Sequence, residues 1–246
     1  MHTRRTDWLV PVSLMVLSAV PVIAGIARVA GLANGSPATA DSARFHAEPT
    51  PVILHIIAAI PYSVLGALQF SKTLRQHGAR WHRISGRILI PCALLVAITG
   101  LWMTLTYSWP AGDGVAVFVE RLVFGTAMLV SVALGINAIR QRDFRAHADW
   151  MTRSYAIALA AGTQVLTHLP WFLFMSEKPG ESARALMMGA GWVLNVLVAE
   201  WAIRRSRPRR VAITVSAKRQ HHHAPTTGSR LQLQPRLRAS GTKHTT

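Results

Sequence analysis

The sequence predicts an all-α fold: a polytopic membrane helix bundle of six transmembrane helices with both termini cytoplasmic. Three observations predict it. Of the 246 residues, 50% are hydrophobic types and only 15% are charged, against about 25% charged in an ordinary soluble domain. Six apolar stretches approach the roughly 20 residues that a helix needs to cross about 30 Å of hydrocarbon. Basic residues collect in every second connection between those stretches, as the positive-inside tendency requires.

The spans run over about 8–30, 51–71, 86–107, 115–139, 154–175 and 183–203. Backbone in hydrocarbon must bond within its own segment, so each is a helix. Pro11 and Pro21 in the first span and Pro61 in the second are tolerated in a bundle and bend their helices. Before the first span stand Arg4 and Arg5. The 31–50 connection sets Arg44 against Asp41 and Glu48. The 72–87 connection holds Lys72, Arg75, Arg80, Arg83 and Arg87 with no acid. The 108–114 turn has only Asp113. The 140–153 connection has four arginines, Arg145 and Arg153 among them, against Asp143 and Asp149. The 176–182 turn carries Glu177, Lys178 and Glu181, and the sixth span runs into Arg204 and Arg205. Six spans satisfy this alternation throughout, whereas removing one internal span would set two basic connections on opposite sides. Most of the tryptophans, such as Trp8, Trp109, Trp171 and Trp201, fall near span ends, where interfacial aromatic belts form.

Arg4-Arg5, an apolar run and Ser36-Pro37-Ala38-Thr39-Ala40 also resemble a signal peptide. The run is longer than a 7–15-residue signal core and ends well before Ala40, so it is read as an uncleaved first span. The net charge of +17 is largely a property of the C-terminus. Residues 204–246 hold 11 Lys and Arg and no acid. This divides the chain into a six-span membrane domain, 1–203, and a basic, disordered cytoplasmic tail, 204–246. Anionic lipids at the basic connections and tail are the expected partners beside the bilayer itself. No nucleic-acid partner is expected, and His221-His222-His223 has no ligand spacing. The single Cys92 excludes an internal disulfide and any multi-cysteine metal site, and reads as a small buried hydrophobe. Ala158 and Gly162 in the fifth span, and Gly189 with Gly191 in the sixth, let helices approach closely, while Asn137 and Asn195 are placed to bond across helices.

Ionisable groups inside spans are costly and face a bundle interior or cavity. His55, Glu120 with Arg121, and His168 with Gln164 one turn deeper come from three different spans. All three sites lie roughly 6–11 Å below the outer boundary at about 1.5 Å per residue. Three readings compete. His55 and His168 ligate one b-type haem. Alternatively, the cluster binds a small polar substrate or quinone, or relays protons. In the plainest reading Glu120 pairs with Arg121 or a histidine and the group only fastens helices. A second polar cluster lies on the cytoplasmic side: His77, Arg80, His82 and Arg83 in one connection, Arg145, His147, Asp149 and Arg153 in the other. Asp149 is placed to orient an imidazole there, and the arginines suit carbonyls or lipid phosphates.

Soluble-enzyme signatures are missing: no GxGxxG opening a helix, no GxxxxGK[ST], no HExxH and no GxSxG. The run from His55 through Gly66, Gln69-Phe70, Leu74-Arg75, His82-Arg83 and Gly86-Arg87 resembles bacterial integral membrane proteins of the domain-of-unknown-function family 2306. His147, Trp150-Met151 and Arg153-Ser154-Tyr155 form the other half of the resemblance, which covers about 51–170. It implies a multispan membrane protein and directs attention to His55, His82 and His147. Members of the family often carry an arginine near the position of Gln164; glutamine there weakens an anion site at that point. The expectation is a multi-pass protein of the cytoplasmic membrane with a redox or small-ligand role at the outer histidines. A transporter or a structural, lipid-associated protein is the alternative.

Overall fold

The computed structural model describes residues 3–71, 73–74 and 78–206. Lys72, Arg75, His77 and the segment 207–246, with its triple histidine, lie outside the described residues. Among the described residues seven helices are bounded: α1 Thr3–Ala33, α2 Ala43–Ala47, α3 Pro49–Leu68, α4 Ala79–Thr106, α5 Val115–Arg140, α6 Phe144–Phe174 and α7 Glu181–Arg205. All but the short α2 are long and apolar enough to cross a membrane. The protein is an all-α polytopic membrane bundle with six candidate spans.

The helices exceed the apolar runs at one end. α4 begins seven residues before Gly86 and α6 ten residues before Ser154, so most of each basic connection is helix. Charge ends an apolar run without ending a helix, because arginine is itself a good helix former. The α5–α6 link is correspondingly short. Arg142 N–H donates to the Ile139 carbonyl and Asp143 N–H to the Ala138 carbonyl, the paired bonds of a Schellman motif. Arg142 sits at φ 60°, where glycine is usual. Asp143 then caps α6, its carboxylate accepting from Ala146 N–H at 2.9 Å. Arg204 and Arg205, assigned to the tail on sequence grounds, belong to α7.

Successive long helices run antiparallel. The start of α1 and the α3–α4 connection share an end, where Thr73 Oγ1 donates to Asp7 Oδ2 at 3.0 Å. The opposite end carries α2, the α4–α5 turn and the α6–α7 turn, joined by Tyr107 Oη donating to the Glu48 carbonyl at 2.6 Å. The core lies between α3, α4, α5 and α6, around Ala58, Tyr62, Ala93, Val96, Val132 and Tyr155. Its aromatic hydroxyls are satisfied. Tyr62 Oη and Ser154 Oγ bond at 2.9 Å, and Tyr155 Oη donates to the Ser63 carbonyl at 2.8 Å. Gly66 leaves room for the Tyr155 ring, which would overlap a Cβ there. Cys92 packs half-buried against this core.

α7 is stitched to α6 by polar bonds: Thr163 Oγ1 donates to Asn195 Oδ1 at 2.8 Å, and Asn195 Nδ2 to the Ala156 carbonyl at 3.1 Å. α1 packs on α3 and α6. Its closest approach is at Gly162, where a Cβ would meet the Leu17 backbone; the small-residue stretch thus admits a neighbouring helix. Outward faces are apolar: Val16 is 68% exposed, Leu105 66% and Leu197 60%. Such a surface fits contact with lipid and not with water.

Candidate functional site

At the end that carries α2, a cavity of about 360 Å³ opens between α3, α4, α5, α6 and α7, within the size range of small-molecule sites. Small residues hollow it: Ala97 and Gly100 on α4, Ala158 and Ala161 on α6, and Gly125 on α5. The lining on α4 runs from Val96 to Thr104, a depth of about 12 Å at 1.5 Å per residue. Its inner walls are Val96, Met128, Ile157 and Trp192, with His55, Thr104 and Gln164 as polar exceptions.

His55 is fixed from α4. Thr99 Oγ1 donates to the Leu95 carbonyl at 2.5 Å and lies 3.0 Å from His55 Nδ1. A hydroxyl has one proton, so Thr99 accepts from Nδ1–H and Nε2 is the ring's acceptor. Gly100 faces the ring, and a Cβ there would touch His55 Cε1 at an ordinary 3.6 Å. Gln164 Nε2 donates to the Met188 carbonyl at 3.2 Å, and Thr104 Oγ1 to the Gly100 carbonyl at 2.8 Å.

The mouth is basic. Arg121 Nη1 lies 2.6 Å from Asp113 Oδ2; this is an ion pair and not an aligned hydrogen bond. Arg184 Nε donates to the other oxygen, Asp113 Oδ1. Asp113 itself is 1% exposed in its side chain. Arg44, on α2, stacks on Phe45 with its guanidinium 4.5 Å from the ring centre, and Arg28 of α1 stacks on the same ring at 4.7 Å. Phe45 meets Tyr107 edge-on at 5.6 Å, so α2 is held over the end of α4. Burial first, and then the Arg121 guanidinium, lowers the Arg44 pKa from its ordinary value.

Of the five residues of the outer cluster, only His55, Arg121 and Gln164 line this cavity. Glu120 points to α7, where a Cβ on Gly189 would lie 3.2 Å from its Cδ, and its Oε2 has no hydrogen-bond partner. The expected Glu120–Arg121 pair does not form; Asp113 takes Arg121 because it sits in the turn that Arg121 reaches back to. His168 Nδ1–H donates to the Gln164 carbonyl at 2.7 Å and its ring stacks near Phe172. It is not among the residues lining the cavity. A haem held by two imidazoles needs both rings facing one space, and the structure does not bring His55 and His168 to one. Among the described residues, no group of three or more His, Cys, Asp or Glu could hold a metal ion.

The second cluster is divided. Arg80, His82, Arg83 and Arg145 are exposed, and Asp149 is half-buried on α6. His147 Nδ1–H donates to the Gly135 carbonyl at 2.9 Å, so a carbonyl of α5 orients this ring. Arg153 forms a bidentate pair with Glu200 of α7, at 2.5 and 3.1 Å, and stacks on Trp150 at 4.5 Å. Gln69 Nε2 donates to Ser85 Oγ, linking α3 to α4. These bonds lock helices together. Glu200 escaped the sequence reading, although an acid so near the end of an apolar run was a usable signal. Arg44, Asp113 and Arg184 were counted there, if at all, as connection charges.

A helical bundle with six membrane-length helices, apolar outer faces and a mixed polar and apolar internal cavity defines a multi-pass membrane protein. The chain belongs to the predicted membrane protein family DUF2306, which matches residues 52–203. That range takes in nearly all of the five helices that wall the cavity, while α1 and α2 precede it. No curated protein and no solved structure matches the chain.

Proposed function

We propose that the protein binds a small ligand in the cavity between α3 and α7, in the cytoplasmic membrane, with the cavity opening outward and both termini in the cytoplasm. The observation that carries the ligand reading is the cavity itself. It is roomy, reaches about 12 Å into the bundle, and mixes apolar walls with His55, Gln164 and two arginines. A pocket of this make-up is the default ligand site of a fold without enzyme motifs.

Charge supports the orientation. The end opposite the cavity carries Arg80, Arg83, Arg87, Arg140, Arg142, Arg145, Arg204 and Arg205. The cavity end sets its arginines among Asp41, Glu48, Asp113, Glu177 and Glu181. The positive-inside tendency then places the first end in the cytoplasm, where its arginines suit anionic lipid headgroups.

Ala161 is exposed and lines the cavity, so Ala161→Phe fills it without removing a polar bond. Native mass spectrometry of the full chain should show a non-protein mass on the wild type that is reduced or lost in A161F. Bare wild type, or equal occupancy in a folded A161F, contradicts the reading.

A further inference from the structure

The geometry points to an anionic amphiphile as the ligand, its charged head held by Arg44 and Arg121 at the mouth and its apolar body against Val96, Met128, Ile157 and Trp192. This inference rests on the ligand reading above and names the chemistry that the cavity selects.

The first argument is the distribution of hydrogen-bond donors. Deep in the cavity most are neutral and partly engaged: His55 on Thr99, one amide N–H of Gln164 on the Met188 carbonyl and Thr104 on the Gly100 carbonyl. At the mouth, each guanidinium offers five N–H groups in a planar fork suited to a carboxylate or phosphate. An anionic head therefore belongs at the mouth and not beside Gln164.

The second argument is charge. Arg121 and Arg184 share the one carboxylate of Asp113. Among the described residues no carboxylate lies within ion-pair distance of Arg44; its charged neighbours are Arg121 and Arg28 on one side of the balance and Asp113 and Asp41, both beyond that distance, on the other, and burial with Arg121 outweighs them. Neither Glu48 nor Glu181 forms an ion pair with Arg44 or Arg121 among the described contacts; Glu181 packs against Gly114. Two guanidinium groups thus line one opening, with Asp113 already shared by Arg121 and Arg184 and with no carboxylate in direct contact with Arg44 among the described residues. A bound anion relieves their repulsion in a partly buried setting.

The third argument is shape. Below Arg121, the α5 lining continues through Gly125 to Met128, a descent of about 10 Å. A free inorganic anion would leave this apolar slot empty, whereas a chain or ring attached to the head fills it.

The test uses the full chain in phosphatidylcholine nanodiscs and follows the intrinsic fluorescence that Trp109 and Trp192 contribute from the cavity lining. The probes are octyl phosphate, octanol and inorganic phosphate. Octyl phosphate should bind saturably and more tightly than either of the others. Arg44→Gln should weaken it by about tenfold or more, as the loss of a charge-assisted bond does. Ala161→Phe should abolish it. R44Q removes no ion pair, so it should fold; circular dichroism and the thermal midpoint confirm this. Equal binding of inorganic phosphate, unaffected by A161F, overturns the proposal in favour of a surface anion patch. Equal binding of octanol, unaffected by R44Q, overturns the anionic head. If none of the probes binds while a non-protein mass still co-purifies with wild type but not A161F, this ligand class fails and the cavity reading stands. Where octyl phosphate does bind as expected, solvent extraction of the co-purifying mass shows whether the acidic head belongs to a membrane lipid or to a soluble amphiphile.

Discussion

Arg121 turns away from its neighbour Glu120 and pairs with Asp113, 2.6 Å away across the α4–α5 turn. The carboxylate also receives Arg184 from α7, so one buried acid joins two helices and a turn at the rim of the cavity.

Asp113→Asn should therefore be costly. Its side chain is 1% exposed while the arginines are 28% and 26% exposed. Removing one partner of a buried pair costs about 3–5 kcal/mol, and the partial exposure of both arginines places D113N near about 3 kcal/mol. Glu120→Gln removes no ion pair and replaces a carboxylate whose buried Oε2 has no partner, so it should cost clearly less than D113N. Reversible unfolding in mixed micelles separates the two; equal losses would show that Glu120 is the structural acid.

Arg142 occupies a left-handed position at φ 60° at the end of α5. An L-residue there costs roughly 1–2 kcal/mol that glycine avoids, offset in part by glycine's looser unfolded state. Arg142→Gly should stabilise the protein by a few tenths to about 1 kcal/mol. A drop in stability would mean that the Arg142 side chain holds the link.

Gly162 accepts the Leu17 backbone. Gly162→Leu should lift α1 from α6 and leave the bundle of α3 to α7 standing. In a Cys92→Ala background, Ser18→Cys, at a site 4% exposed, should resist a membrane-permeant thiol reagent and become reactive once G162L is added. Continued protection would place the α1 contact elsewhere.

His168 bonds to the Gln164 carbonyl of its own helix and does not line the cavity with His55. His168→Ala should leave the oxidised and dithionite-reduced visible spectra of protein from haem-supplied cells identical to wild type. A Soret band lost in both H168A and H55A would restore a haem bridging the two.

The bundle was legible because apolar length and alternating loop charge both follow from the thickness and polarity of a bilayer. The early starts of α4 and α6 were not: Arg80, Arg83 and Arg145 interrupt hydropathy without interrupting backbone hydrogen bonding. The site was half legible. Counting residues from a span end gives depth, and it singled out His55, Arg121 and Gln164, which line the cavity. It also brought Glu120 and His168, since depth says nothing of which way around the helix a side chain points. Azimuth is set by packing, such as Glu120 against Gly189 and Gln164 against Gly191. Asp113 and Arg184 are 71 residues apart, and their meeting depends on two helix ends coming together, which local pattern does not encode.

The central claim is a ligand cavity that opens at the outer face. Thr104→Cys in the Cys92→Ala background puts one thiol on its wall. In intact cells a small, membrane-impermeant methanethiosulfonate should label this thiol from outside, and Ala161→Phe should slow the reaction sharply. A thiol that reacts only from the cytoplasmic side of inverted vesicles, or that A161F leaves equally reactive, would contradict the account.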